Sequence, residues 1–242
     1  MASAHIVQGR EVSLPCMVRD ASSGAASFLV SARAAQAMLP GDAFQVVEIL
    51  PGRALLSLAV IDYRDNDLGD YDEVSIAFMV REGGESGGLP YLGAALDVVR
   101  GRLKTFIHWL PVNQTFTREA GAEIWGFPKT VEDIDFEYAP DRSTCRLSAD
   151  ARHVLTLSVP RGGSRTMPDT ELTTCTYLHG VPHRVRFSSG AGGFGFSLSG
   201  GRVELGDHPY ADQLRSLGLP KRPLACTWME NMYGRFEAPE KL

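Results

Sequence analysis

One lysine in this chain, Lys129, stands where its amine could act as a nucleophile. It follows directly after a Trp-Gly-Phe-Pro run at 125–128, and no other cationic residue lies within ten positions of it. Only four of the 24 basic residues are lysines, so arginine fills most basic positions. A lysine set among aromatic residues is therefore a candidate reactive amine, which can attack a carbonyl carbon and form a Schiff base. The alternative is that Lys129 lays its aliphatic stem over Trp125 or Phe127 and keeps its ammonium in water.

The residues before Lys129 predict a stiff turn that would aim this side chain. Residues 116–125 are typical of a helix, and Gly126 is expected to end it in a left-handed conformation. Phe127 precedes a proline and is restricted to extended backbone, while Pro128 fixes its own φ. If the turn directs Lys129 into an apolar cavity, desolvation disfavours the ammonium form and leaves a free amine.

Most of the remaining chain is predicted to be β-structure. Short helices are predicted at 31–39, with Ser31 as N-cap, and at 209–217. Residues 19–24 and 161–168 are expected to form a turn and a loop, and Glu82–Pro90 a glycine-rich loop. Strands are predicted at 5–18, 43–50, 53–63, 71–80, 102–112, 131–138, 143–149, 152–159, 171–178, 181–188, 192–199, 201–205 and 224–236. This pattern indicates an α+β protein with a mainly antiparallel, barrel- or sandwich-like core.

The composition limits the classes of protein to which the chain can belong. With 242 residues, of which 44% are hydrophobic, it can bury a full core, and we expect a single domain over 1–242. A net charge of −5 and a pI near 5.7 argue against a nucleic-acid partner. No apolar run approaches the roughly 18 residues that span a bilayer, and the N-terminus lacks a signal-peptide pattern. We therefore expect no membrane partner and a cytoplasmic location.

The cysteines and histidines predict neither a disulfide framework nor a metal site. Four widely spaced cysteines each lie in an apolar or strand-like segment, which is typical of buried, reduced thiols (Cys16, Cys145, Cys175 and Cys226). His179 and His183 have i, i+4 spacing, but the glycine and proline between them prevent a shared helix face. A turn between two strands is predicted there instead.

A glycine-rich run from Gly190 to Gly195 formally matches the dinucleotide-binding fingerprint. The residues after it alternate like a strand, whereas the fingerprint must open a helix. We interpret the run as a flexible or bulged turn, and no nucleotide cofactor is expected.

The segment 121–129, Gly-Ala-Glu-Ile-Trp-Gly-Phe-Pro-Lys, resembles the signature of the acetoacetate decarboxylase family, in which the lysine forms a Schiff base with a β-keto acid. Weaker similarities follow in the same order as in the family. They are the helix that ends before Pro40, the loop at 68–73, and His208-Pro209 with the helix after it. The resemblance implies a closed β-barrel core with a few short helices, a catalytic lysine that needs no cofactor, and a homo-oligomer.

Site residues are carried over by position within this resemblance. Lys129 corresponds to the Schiff-base lysine and Glu73 to an acid/base or positioning carboxylate, although a solvated carboxylate at a strand start remains the alternative for Glu73. Arg19 lies near the arginine that binds the substrate carboxylate, although it also fits an ordinary turn arginine. Tyr71 and Phe127 are expected to line the pocket.

Trp125, from the same motif, is expected to contact the substrate as well. Two positions depart from the family pattern: Thr130 replaces a second lysine, and Leu58 stands where a second glutamate is expected. Both departures weaken the case for acetoacetate as the substrate and leave the nucleophile untouched.

We expect a lyase that acts on a small keto acid, with decarboxylation ranked first. The alternatives are aldolase, dehydratase or cyclase chemistry on the same lysine, or a non-catalytic ligand-binding or assembly protein.

Overall fold

The computed structural model describes residues 3–83 and 104–242. In this part of the chain the helices are α1 (Ala32–Gln36), α2 (Thr115–Trp125) and α3 (Pro209–Ser216). The strands are β1 (Ser3–Val7), β2 (Arg10–Leu14), β3 (Cys16–Ser31), β4 (Phe44–Val46), β5 (Glu48–Leu50), β6 (Arg53–Asn66), β7 (Tyr71–Glu82), β8 (Lys104–Val112), β9 (Lys129–Val131), β10 (Asp133–Ala139), β11 (Arg142–Ala149), β12 (Arg152–Pro160), β13 (Arg165–Leu178), β14 (Val181–Ser197), β15 (Arg202–Leu205), β16 (Ala225–Phe236) and β17 (Glu240–Lys241). The expected α+β class with mainly antiparallel strands is confirmed.

Seven strands of the described chain close into a barrel in the order β7-β6-β3-β16-β14-β13-β8, and β8 pairs back with β7. All neighbours in this ring are antiparallel except β13 and β8, which run parallel where Thr174 faces Thr105. Closure removes the free edges that an open sheet would expose. The barrel therefore provides a rigid wall on which side chains from distant parts of the sequence meet.

A second sheet, in the order β10-β11-β12-β15, packs against the barrel. Its buried residues share one apolar cluster with β3, β6, β7 and β16, and this cluster includes Leu58, Leu157 and Trp228. A second cluster packs α2 and the β1-β2 hairpin against other barrel residues, including Tyr71 and Leu110. Strand alternation separates the two clusters, because successive side chains point to opposite faces.

Residues 19–24, expected to be a turn, lie inside the long strand β3. The side chains at 21–24 are small because another strand packs closely against this part of β3. A methyl group on Gly24 would stand 2.6 Å from Val159 Cγ2 of the second sheet, so glycine lets β12 approach the barrel wall. The turn prediction was wrong because small polar residues are typical both of turns and of strands that another sheet approaches closely.

The Gly190–Gly195 run lies within β14 and is not a turn. A methyl group on Gly195 would come within 2.0 Å of the Gly162 carbonyl oxygen, so these glycines admit a neighbouring backbone. β13 begins at Arg165, inside the segment 161–168 that was expected to be a loop. The remaining predicted helices and strands have counterparts in the structure, although residues 84–90 of the expected loop and 102–103 of the expected strand lie outside the described residues. No helix of the described residues is long and apolar enough to cross a membrane.

Candidate active site

The chain turns sharply at the end of α2, just before Lys129. Gly126 has φ 70° and ψ 23°, which is the left-handed conformation predicted from the sequence. Its carbonyl accepts a 2.7 Å hydrogen bond from the Thr176 hydroxyl, which ties the end of the helix to β13. Lys129 then opens β9, which pairs in parallel with β8 through Leu110. The helix end and two barrel strands thus fix the backbone of Lys129.

Replacing Gly126 by alanine is expected to destabilise the fold by roughly 2–5 kcal/mol. Left-handed backbone costs a non-glycine residue about 1–2 kcal/mol, and the added methyl would stand 2.4 Å from the Tyr177 carbonyl oxygen, an overpacking that costs about 1–3 kcal/mol more. Urea unfolding measures the loss. Gly9→Ala is the matched control, because Gly9 has φ 75° and no atom within 4 Å of the added methyl. Equal losses in the two variants would contradict the packing contribution.

The Lys129 side chain is buried and paired with Glu73. Its Nζ lies 2.8 Å from Glu73 Oε2, and the two side chains are only 4% and 8% exposed. The ammonium also lies 5.0 Å from the centre of the Tyr71 ring. The stem of Lys129 runs along Gly121 of α2, where a methyl group would stand 2.6 Å from Cδ. This burial excludes the alternative interpretation of the sequence, in which Lys129 keeps its ammonium in water.

Glu73 lies beside two tyrosines of the β6-β7 hairpin, and one of them donates a hydrogen bond to it. Tyr63 faces Tyr71 across the two strands, and their rings stack at 4.6 Å. The Tyr63 hydroxyl donates a long, 3.5 Å hydrogen bond to Glu73 Oε1. Burial, reinforced by the Glu73 charge, raises the pKa of both phenols well above the ordinary value, so they remain protonated donors. Sequence reasoning missed Tyr63, which pairs directly with Tyr71 in the β6-β7 hairpin and so lies on the same face as Tyr71 and Glu73.

A cavity of about 100 Å³ surrounds the Lys129–Glu73 pair. Among the described residues that line it, Lys129 and Glu73 are the only charged side chains, and most of the others are apolar or aromatic. The lining residues are Cys16, Val18, Asn66, Leu68, Tyr71, Glu73, Thr105, Ile107, Leu110, Trp125, Phe127, Lys129, Leu172, Thr174, Phe187 and Phe236. An amine in such surroundings has one proton acceptor beside it and little water.

Five of the six residues predicted for the site meet in this cavity: Lys129, Glu73, Tyr71, Phe127 and Trp125. Both aromatic residues of the motif are buried, and their rings stack at 6.1 Å. The Trp125 indole nitrogen donates a 2.9 Å hydrogen bond to the Glu237 carbonyl, so the ring presents only its apolar surface to the cavity.

Arg19, the sixth, does not reach the cavity. Its neighbour Val18 lines the cavity, and strand alternation turns Arg19 to the opposite face of β3. There its half-exposed guanidinium contacts Asp65 at 2.8 Å and Asp67 at 2.6 Å. The predicted contact between Arg19 and a substrate carboxylate is therefore corrected to a surface ion pair.

The two departures from the family pattern also lie outside the cavity. Leu58 is fully buried in the cluster shared with the second sheet, whereas Ala59 and Ile61 belong to the cluster on the cavity side. The Thr130 hydroxyl accepts a 2.8 Å hydrogen bond from the Trp109 indole, on the face of β9 opposite to Lys129. Neither residue changes the cavity wall directly, so neither argues against a reactive Lys129.

Cys16 is a cavity residue that sequence reasoning did not assign to the site. It is 1% exposed, and burial raises the pKa of its thiol to about 12, with the Asp67 charge adding to the shift. The thiol therefore stays neutral and serves as part of the wall. Its strand position, two residues before Val18, is the signal that identifies it once Val18 is known to face the cavity.

The four cysteines are all free and buried, as expected. In residues 3–83 and 104–242, no group of three or more His, Cys, Asp or Glu side chains is arranged to hold a metal ion. His179 lies in the turn that joins β13 to β14, as the sequence predicts, whereas His183 lies within β14 and pairs with Thr176.

Comparisons with known proteins identify similar folds and a matching family. In the described structure, the fold resembles an acetoacetate decarboxylase from Legionella pneumophila, with a TM-score of 0.67 and 16% identity over 94% of this chain and 87% of that chain. It also resembles the enduracididine biosynthesis enzyme MppR in complex with pyruvate (TM-score 0.61, 17% identity, 94% and 90% covered). MppR in complex with the condensation product of pyruvate and imidazole 4-carboxaldehyde gives a TM-score of 0.56 at 18% identity, with 94% and 89% covered.

At these identities the structural likeness shows the fold alone. A comparison with curated protein sequences finds no match. The family model described as acetoacetate decarboxylase, however, matches residues 9–236, which is nearly the whole chain. The chain therefore belongs to the acetoacetate decarboxylase family.

Proposed function

We propose that this protein is a Schiff-base-forming lyase that acts on a small keto acid through Lys129, with decarboxylation of a β-keto acid as its reaction. The observation that carries the proposal is the buried pair of Lys129 Nζ and Glu73 Oε2, 2.8 Å apart within a largely apolar cavity. Buried charges are expensive unless they are paired, and such pairs are frequent at functional sites. Tyr71, Phe127 and Trp125 form the walls that keep water from the amine.

Glu73 is placed to move the protons of imine formation. Its carboxylate takes a proton from the Lys129 ammonium, and the free amine then attacks the keto carbon of the substrate. Glu73 returns that proton to the departing hydroxyl, so that water leaves and a carbon–nitrogen double bond remains. The protonated imine then withdraws electrons from the bond to the carboxylate.

The walls of the cavity favour the loss of carbon dioxide. As that bond breaks, its electron pair moves toward the iminium nitrogen, so the product is a neutral enamine and both charges disappear. An environment of low polarity favours this step, because it stabilises the neutral enamine and carbon dioxide relative to the charged iminium and carboxylate. No guanidinium lines the cavity among the described residues, so none holds the carboxylate in its charged form. Protonation of the enamine and hydrolysis of the imine then release a ketone and restore Lys129.

Aldol, dehydration or cyclisation chemistry on the same lysine is the second candidate. The observation that favours it is that the similar enzyme MppR has been seen with pyruvate and with a condensation product of pyruvate and an aldehyde. An enamine formed at Lys129 could attack an aldehyde instead of taking a proton. Product analysis distinguishes the two reactions. Decarboxylation gives carbon dioxide and a ketone, whereas aldol chemistry gives a product with a longer carbon skeleton.

The proposal extends to the state in which the enzyme works. We propose that residues 1–242 form one domain that acts in the cytoplasm as a homo-oligomer and without a cofactor, as the family resemblance implies. Four buried free cysteines support a reducing compartment. Sedimentation velocity tests the oligomer, and a purely monomeric chain would contradict it.

Borohydride trapping tests the proposed chemistry. The protein is reduced in the presence of acetoacetate, longer 3-oxo acids or pyruvate, and peptide masses then map adducts on all four lysines. We expect an adduct on Lys129 alone. Lys221 is the internal control, because partial burial lowers the pKa of its amine and it does not line the cavity. Its Nζ instead donates a 2.7 Å hydrogen bond to the Leu29 carbonyl. No adduct with any acid, or an adduct on Lys221 alone, would favour a non-catalytic, ligand-binding role for the protein.

A further inference from the structure

One side of the cavity consists of apolar residues that face one another across neighbouring strands. Leu172 of β13 pairs with Phe187 of β14, Phe187 pairs with Phe236 of β16, and Phe236 pairs with Cys16 of β3. All four line the cavity. We call Leu172, Phe187 and Phe236 the apolar row. Because directly opposed residues on one face lie closest together, the row forms a continuous surface.

The apolar row lies at the outer end of the cavity. Leu172 is 43% exposed, and Phe187 and Phe236 are half-buried, whereas Leu110 and Trp125 near the lysine are each 2% exposed. The two phenylalanine rings stack at 4.1 Å with an angle of 21° between them. The row therefore extends from the buried interior to the water at the opening.

Beside Leu172, the wall of the cavity becomes polar. Thr105 and Thr174 line the cavity where β8 and β13 run parallel, and their hydroxyl oxygens are 3.2 Å apart. In the described part of the chain, no charged side chain other than Lys129 and Glu73 lines the cavity. A substrate that crosses the opening thus meets a hydrocarbon surface across β13, β14 and β16 with two hydroxyl groups beside it, and none of the described residues at this opening supplies a cation for a second carboxylate.

The size of the cavity limits what can lie inside it. Its volume of about 100 Å³ is well below the roughly 300–1,000 Å³ that holds a drug-sized ligand. The reacting carbonyl and its nearest atoms fill such a space. Any longer substituent on the carbonyl must leave through the opening, where the apolar row offers the larger continuous surface.

We propose that the substrate carries an unbranched hydrocarbon chain on its reacting carbonyl, and that this chain lies on the apolar row. The substrate class is then a β-keto acid with an acyl chain longer than that of acetoacetate, in preference to a dicarboxylic or polyhydroxylated keto acid. This assignment rests on the proposed Schiff-base function of Lys129. Its physical basis is the removal of apolar surface from water on Leu172 and the two phenylalanines.

The test compares trapping rates of 3-oxobutanoate, 3-oxohexanoate and 3-oxooctanoate with that of 3-oxoadipate, which carries a second carboxylate at the chain end. A fully buried methylene improves binding about fourfold, so we expect the half-exposed row to give at least about twofold per methylene. The 3-oxoadipate rate is expected to be at least about tenfold below that of 3-oxohexanoate, because its end carboxylate loses water and meets no cation other than Lys129 among the described lining residues.

Leu172→Ala is expected to reduce the ratio of the 3-oxohexanoate rate to the 3-oxobutanoate rate at least about threefold. Leu224→Ala is the matched control, because Leu224 is a leucine of similar exposure, 47%, that does not line the cavity. We expect the control to leave the ratio unchanged. Equal rates for all chain lengths, an equally rapid 3-oxoadipate, or an unchanged ratio in Leu172→Ala would overturn the assignment.

Calorimetry with butanoate, hexanoate and adipate separates this inference from the proposed function, since these acids have no keto group and cannot form an imine. Tighter binding of hexanoate than of the other two, weakened in Leu172→Ala, supports the apolar row even if no lysine adduct forms. Binding that is independent of chain length overturns the row even if Lys129 is trapped by every keto acid.

Discussion

Replacing Glu73 by glutamine is expected to lower kcat/KM for the keto acid by about 10²–10⁴-fold, the usual contribution of a positioned acid or base. Glutamine keeps nearly the same shape and can still accept a hydrogen bond from Lys129, but it cannot take the ammonium proton or return it to the leaving hydroxyl. Among the described cavity residues Glu73 is the only carboxylate, so no neighbour replaces it. Steady-state release of carbon dioxide and the rate of borohydride trapping measure the loss.

The same strand offers a matched control for this variant. Glu82, at the other end of β7, forms an ion pair with Lys104 at the same 2.8 Å distance, and it lies outside the cavity. Glu82→Gln therefore removes a comparable ion pair without touching the proposed chemistry, and we expect kcat/KM to remain within about twofold. If both variants lose activity equally, the effect of Glu73 comes from the stability of β7, and its role in proton transfer is refuted.

The part of the site that sequence could predict depends on local geometry. Lys129 is aimed by a helix end and a proline, and Gly126 has the left-handed backbone that its position after the helix pattern indicates. Tyr71 and Glu73 are two residues apart in a strand, so they share a face whatever the strand pairs with. These relations hold within a few residues, and the structure places all of these side chains at one cavity.

Local sequence does not settle which face of a strand is buried, and this decides where Arg19, Leu58 and Thr130 lie. Arg19 follows a cavity residue by one position and therefore points away from it. Leu58 belongs to the face of β6 that packs against the second sheet, and an offset of one residue reverses the face of a strand. Thr130 directly follows Lys129, yet adjacent strand residues point to opposite faces, and its hydroxyl contacts Trp109 instead. The apolar row was not predicted because its members are distant in sequence and meet only through the pairing of three strands.

Gly121, within the family motif, leads to the second prediction of large effect. In α2 its α-carbon faces the stem of Lys129, and an added methyl would stand 2.6 Å from Cδ and 2.7 Å from Cε. Carbon atoms in contact prefer about 3.5–4.0 Å, so the lysine stem must move by roughly 1 Å to restore that separation. A displacement of about 1 Å in a reacting group can lower a rate by about a hundredfold. We therefore expect Gly121→Ala to reduce the rate of imine trapping by about 10²-fold.

Stability separates this effect from simple damage to the fold. Alanine within a helix is favoured over glycine by about 0.5–1 kcal/mol, which offsets part of the roughly 1–3 kcal/mol that overpacking costs. Gly121→Ala is therefore expected to lose no more than about 2.5 kcal/mol of stability while it loses activity. Gly192→Ala adds the same methyl in β14, where the nearest atom is Asn231 Cβ at an ordinary 3.6 Å, and it should leave the trapping rate unchanged. Gly121→Ala with normal trapping would show that the stem of Lys129 can repack freely. A folded variant with slow trapping would mean that α2 holds the amine in place, and that the glycine at 121 gives the lysine room.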